Sequence, residues 1–446
     1  MKNVCRFWPL LPVFAFYLHN IDLSSDSYLL VQGAQLFWSH LKTESFPIGD
    51  SFGPFASLQY LAALPLALLG LKQGLIVRIL IFLNMAASAF LARTVYKHFK
   101  KIEARSVGRF FLLIFLSGMP LWYAHAPLSE ALATVCISVL ILEFLEKRRP
   151  LRLLLWAFLS ACSKETAIPF LILYLLAAFT AQNDPRIKTR ANPTACFSIF
   201  SGFALGALSQ VALNEIRYGT FWNLNYMQKL FQVQELTTWV SFFFTQFFSP
   251  TVGLIFVWPS FVLTFILITR ISIQSRTTRL SCGIISLSLF GLIAGFARWY
   301  TPVGSVSWGP RLLFPWLIPA LIILLHSSAA EIQKQISLWQ TTLTQKTKFL
   351  VCAALGLLSL PAYSALFGAH LLGYPFEGDA VCTKAPVIQT DVANFYHCMN
   401  HIFWGKEGIL LRVFHVTENP GAFAAALVCI FILIRELKLF LAAPDN

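Results

Sequence analysis

Apolar runs of about 20 residues recur along this chain, with charges gathered between them rather than inside them. A run of that length in lipid must satisfy its own backbone hydrogen bonds, and a helix does so within the segment. The expected fold class is therefore an all-α polytopic membrane protein. Composition agrees, since 57% of the residues are hydrophobic and only 12% are charged, outside the range of ordinary soluble domains. The formal net charge of +14 reads as loop asymmetry across a membrane, and no nucleic-acid partner is expected.

Placing the basic runs on one side organises the topology. Residues 55–71 are short and contain Pro65; if they crossed, Lys97, Lys100, Lys101, Arg105 and Arg109 would all lie outside. That segment is therefore expected to be re-entrant or interfacial. Spans are then predicted near 6–18, 74–96, 108–123, 128–145, 151–163, 166–181, 194–213, 251–269, 280–297, 312–328, 349–367 and 421–437. This makes about twelve spans with both termini inside. The runs Lys147 to Arg149, Arg186 to Arg190, Arg270 to Arg279, Lys334 to Lys348 and Arg435 to Lys438 all become cytoplasmic. Residues 331–348 read as an amphipathic surface helix. Residues 1–446 form one membrane domain, with external loops at 19–73 and 368–420. The basic start at Lys2 and Arg6 lacks a following small-residue cleavage site, so the first span is expected to be retained. The expected location is a bacterial inner membrane with the site on its outer face. Seven of nine cysteines fall in or beside apolar spans and read as small core residues; Cys382 and Cys398, in the tail loop, suit a disulfide.

The external loop after the first span carries Asp22 and Asp26, four residues apart. Carboxylates are costly near lipid unless they face water or a reactant. A serine N-cap at Ser25 precedes Leu30, Ala34, Phe37 and Leu41 at helical spacing, predicting an interfacial helix with Asp26 in its first turn. The helix dipole favours a negative group there.

Taken in order, the outward segments Ser25-Asp26-Ser27-Tyr28, Gly53-Pro54, Pro127-Leu128-Ser129-Glu130, Cys162-Ser163-Lys164-Glu165 and Ser307-Trp308-Gly309-Pro310-Arg311 resemble those of the GT-C superfamily of membrane glycosyltransferases. The likeness extends to bacterial relatives of protein O-mannosyltransferases and to the lipid A aminoarabinose transferase. Ser25-Asp26-Ser27-Tyr28 is similar to the family's aspartate-x-x-tyrosine helix start, with a tighter spacing. Gly53-Pro54 and the run at 64–70 are similar to its proline-bearing juxtamembrane segment. Pro127-Leu128-Ser129-Glu130 stands where the family has its second acid, and Cys162-Ser163-Lys164-Glu165 where it has a lysine-bearing crest. Ser307-Trp308-Gly309-Pro310-Arg311 resembles a tryptophan-glycine-proline-arginine-tyrosine pattern whose tyrosine is here Leu312.

This resemblance implies a GT-C-like bundle with juxtamembrane helices in the first external loop. It also implies inverting transfer of a sugar from a polyprenyl-phosphate donor to a lipid, glycan or protein acceptor. Such a reaction needs a base for the acceptor's proton and cations for the leaving phosphate. Asp26 is the expected base and Asp22 its competitor; Glu130 is expected to orient the acceptor or a cation. Lys164, Arg298 and Arg311 are the expected phosphate ligands, because guanidinium and ammonium groups match phosphate oxygens. Tyr28, Trp308 and His125 are the expected substrate contacts. No cofactor is expected, and catalysis without a metal: the external loops hold no aspartate-x-aspartate, and no paired Cys/His spacing suggests zinc. A lipid flippase or transporter stays open as an alternative. So does a polysaccharide polymerase or ligase, for which His370, His397, His401 and Arg412 of the tail loop are candidates.

Overall fold

A computed structural model of the chain describes residues 25–43, 57–125, 130–147, 149–164, 167–182, 193–222, 236–248, 253–272, 276–298 and 311–344, with short stretches within 346–356 and 431–440. Helices and turns make up these residues, without strands. The helices in chain order are α1 (Ser25–Thr43), α2 (Ser57–Leu68), α3 (Gln73–Lys101), α4 (Arg105–Leu116), α5 (Met119–His125), α6 (Glu130–Leu145), α7 (Pro150–Ser163) and α8 (Ala167–Gln182). They continue with α9 (Pro193–Tyr218), α10 (Leu236–Phe248), α11 (Leu254–Val257), α12 (Pro259–Ser272), α13 (Arg276–Phe296), α14 (Phe314–Ser327) and α15 (Ala329–Thr342).

Helices α6 and α14 form the centre. Each is apolar all round, the pattern of a helix buried on every side, and every residue of α14 from Phe314 to Leu325 is buried. The two run in the same direction. Glu130 and Arg311 meet at one end of the pair, and Glu146 and His326 stand together with His98 at the other. Tyr174 of α8 donates from its hydroxyl to the Trp316 carbonyl at 3.0 Å, tying the next helix to this centre. Helices α7 and α9 approach most closely of the outer pairs. Gly202 and Gly206 of α9 lie on Ala157 and Ala161 of α7, so a Cβ at Gly206 would stand 2.4 Å from that of Ala161. Small residues four apart let helix backbones pack this closely in lipid.

Among the described residues three helices are long and apolar enough to cross a membrane, α3, α9 and α13; the pair α14 and α15, bent by 80°, makes a fourth if counted as one span. Other expected spans are shorter apolar helices. The 16 residues of α6 rise about 24 Å, less than the roughly 30 Å of a hydrocarbon core. The predicted span at 6–18, most of those at 349–367 and 421–437, and the disulfide pair Cys382 and Cys398 fall outside the described residues. Cys136, Cys162 and Cys282 are buried as expected of small core residues, whereas Cys196 is exposed.

Two expected spans are broken, and the breaks interlock. The run at 108–123 stops at Ser117-Gly118, where Ser117 turns its hydroxyl back onto the Ile114 carbonyl at 3.0 Å. The run at 251–269 divides at Trp258-Pro259, between α11 and α12. The Trp258 indole fills the notch beside Gly118, where a Cβ would sit 1.9 Å from its ring, and donates to the Ile114 carbonyl at 3.0 Å. The hydroxyls of Ser117 and Ser260 lie 2.6 Å apart, completing the joint. Hydropathy does not register such a break, because the residues at it are small or apolar.

Helix α2 has only 12 residues and contains Pro65, too few for a crossing. A left-handed Gly70 (φ 69°) then turns the chain into α3. Helix α1 starts at the expected Ser25 and lays Leu30 and Ala34 against Tyr60 and Ala63 of α2 and Leu213 of α9.

Candidate functional site

Glu130 opens α6, Lys164 follows the last residue of α7, and Arg311 lies in the turn entering α14. Separated by 34 and 181 positions, the two cations converge on one carboxylate oxygen. Lys164 Nζ donates to Glu130 Oε1 at 2.9 Å and Arg311 Nε donates to the same oxygen at 3.0 Å. The Glu130 side chain is 1% exposed, Arg311 11% and Lys164 21%. A charge this deep is stable only when paired. Two cations to one carboxylate leave the cluster positive. The other oxygen, Oε2, is buried and accepts no hydrogen bond. Arg311 reaches Glu130 through its Nε. Among the described residues no group of three or more His, Cys, Asp or Glu is placed to hold a metal ion.

Local structure fixes each member. Lys164 is extended (φ −150°, ψ 132°) where α7 ends, so its side chain leaves the helix. Tyr123 of α5 stacks on Phe314 with ring centroids 4.3 Å apart, anchoring the start of α14 next to Arg311. Ser57, the first residue of α2, accounts for the rest of the frame. Its hydroxyl donates to the Cys162 carbonyl at 3.4 Å, two residues before Lys164, and its backbone N–H donates to Gln210 Oε1 of α9 at 3.1 Å. Helix α2 is thereby seated on the end of α7 beside Lys164.

Three of the residues singled out in the sequence are therefore brought together: Glu130, Lys164 and Arg311. Arg298 is not one of them. It is exposed after α13, with its guanidinium 5.6 Å from the Trp239 ring centroid, a cation–π contact. Asp26 and Tyr28 stand in the first turn of α1, and His125 closes α5, but the side chains of all three lie outside the described set. Asp22 and Trp308 fall outside the described residues altogether. Because α1 packs through Leu30 on Tyr60, one turn into α2, the first turn of α1 and the crest belong to the same end of the bundle.

One residue at this end escaped the sequence reading. Arg217, in the last turn of α9, is fully buried, with its guanidinium 5.2 Å from the Tyr60 ring centroid and 5.9 Å from that of Tyr218. The available signal was an arginine closing an otherwise apolar helix. No family model matches the chain, and no curated protein and no solved structure matches it.

Proposed function

We propose that the protein is an inverting glycosyltransferase that moves a sugar from a polyprenyl-phosphate donor to an acceptor at the outer membrane face. The observation that carries this reading is the convergence of Lys164 and Arg311 on Glu130. A lipid phosphate leaving group needs fixed positive charge in a site poor in water, and such charge is worth most where the dielectric is low. In this reading Glu130 holds the two cations in place before substrate arrives, so little reorganisation remains for the reaction. Asp26, in the first turn of α1, takes the acceptor proton, with Asp22 its competitor. Tyr28, Trp308 and His125 contact the substrate.

The test is sugar transfer by purified protein in proteoliposomes from a labelled polyprenyl-phosphate sugar. Asp26→Asn is expected to abolish transfer with expression unchanged; full activity in that variant moves the role to Asp22 or removes it. Arg311→Ala is expected to weaken polyprenyl-phosphate binding by 10-fold or more, a loss of about 1.4 kcal/mol or greater, with acceptor binding less affected. The rival is a lipid transporter, and it has an observation of its own. The breaks at Ser117-Gly118 and Trp258-Pro259 interlock, and discontinuous helices are a feature of transporters. Movement of a labelled polyprenyl phosphate across the bilayer without sugar transfer selects that reading.

A further inference from the structure

A second cluster of titratable groups lies at the opposite end of α6 and α14, away from the proposed reaction. His98, buried in the last turn of α3, uses both ring nitrogens: Nδ1 is 3.1 Å from Glu146 Oε1, and Nε2 is 3.1 Å from His326 Nδ1. Lys101 Nζ donates to the other Glu146 oxygen at 3.2 Å. His326 is in the last turn of α14, two residues before Ser328, where the chain turns through 80° into α15. The Thr278 hydroxyl of α13 donates to the Ser327 carbonyl at 2.8 Å on the same corner.

Hydrogen-bond bookkeeping limits how many protons this chain of groups can hold. An ionised carboxylate is acceptor only, so His98 presents its Nδ1–H to Glu146. When His98 is neutral its Nε2 is a lone pair, and His326 donates to it from Nδ1. One added proton is accommodated by reversal: His98 donates from both nitrogens, and His326 accepts at Nδ1 while carrying its own proton on Nε2. A second added proton puts hydrogens on both facing nitrogens. The contact then opposes two donors and two positive charges across 3.1 Å.

We infer that His98 and His326 form a proton-counting latch that holds α3, α6 and α14 together at this corner and opens when both imidazoles are protonated. Charged groups on the surrounding elements at this end include Lys97, Lys100 and Lys101 of α3, Arg105 and Arg109 of α4, Lys147 after α6, Arg276 and Arg279 of α13, and Glu331 and Lys334 of α15, with Glu143 of α6 paired to Arg152 at 3.7 Å. Among the described residues neither imidazole has a further ion pair. The unfolded chain protonates both imidazoles in mild acid, whereas the closed latch holds only one extra proton. Stability therefore falls as pH is lowered through the imidazole range.

Two measurements on the full chain in detergent test the latch. In wild-type protein, hydrogen exchange by mass spectrometry at pH 8 and pH 5, corrected for intrinsic rates, is expected to show lost protection at the α14–α15 corner in acid. Equal protection at both pH values overturns the inference. His326→Asn keeps a group at the Nδ1 position that donates or accepts without titrating. Its melting temperature is expected to fall by less than that of wild type between pH 8 and pH 5, and a parallel fall overturns the inference. Should the variant fail to fold, the wild-type exchange measurement decides alone.

Discussion

The two ends of the α6/α14 pair carry the same arrangement built from different chemistry. At each end a glutamate of α6 or its following turn is held by two basic side chains from other segments: Glu130 by Lys164 and Arg311, Glu146 by His98 and Lys101. At the Glu130 end both partners are permanently charged and largely withdrawn from water. At the Glu146 end one partner is an imidazole and the other is a lysine 59% exposed. Fixed charge in a buried place suits holding an anion whatever the pH, while a histidine chain backed by a solvated lysine suits a response to pH. The difference lies in the partners, since the carboxylate is common to both.

Four variants break or sharpen that contrast. Glu130→Ala strands two buried cations, and a loss of about 3–5 kcal/mol is expected; denaturant or thermal unfolding in detergent measures it, and a loss below about 1 kcal/mol would mean that water already compensates these charges. Glu146→Ala removes the acceptor of His98, a cost of about 1–3 kcal/mol, and should also flatten the acid sensitivity of the melting temperature. Lys101→Ala touches only a solvated pair, so about 0–1 kcal/mol is expected. The smallest stability change belongs to the triple replacement Glu130→Leu, Lys164→Met, Arg311→Met. Exchanging a whole buried ion cluster for apolar side chains is often neutral or stabilising, yet polyprenyl-phosphate binding should be lost. Retained binding with unchanged stability would detach the cluster from function.

Much of the helical framework was legible in the sequence, and so were three residues of the candidate site. Apolar length and helical spacing act within one or two turns, which is why α1 begins, and α2 and α3 begin and end, near their expected places, with α2 running on past Pro65. Glu130, Lys164 and Arg311 were legible as unusual residues at helix ends, but their convergence on a single oxygen was not. The breaks at Ser117-Gly118 and Trp258-Pro259 were missed because each depends on the other. The notch at Gly118 has meaning only with the Trp258 indole in it. His98 and His326 drew no notice for the same reason, being 228 positions apart.

What the sequence by itself determined is a helical chain suited to lipid, with its polar residues set at the helix ends, because hydrophobicity, capping and chain stiffness are properties of neighbours along the backbone. The tertiary structure alone decided which of those end residues share a proton or a charge. Pairing across long loops follows from how α6 and α14 pack at the centre and which helix ends they bring within about 3 Å of one another.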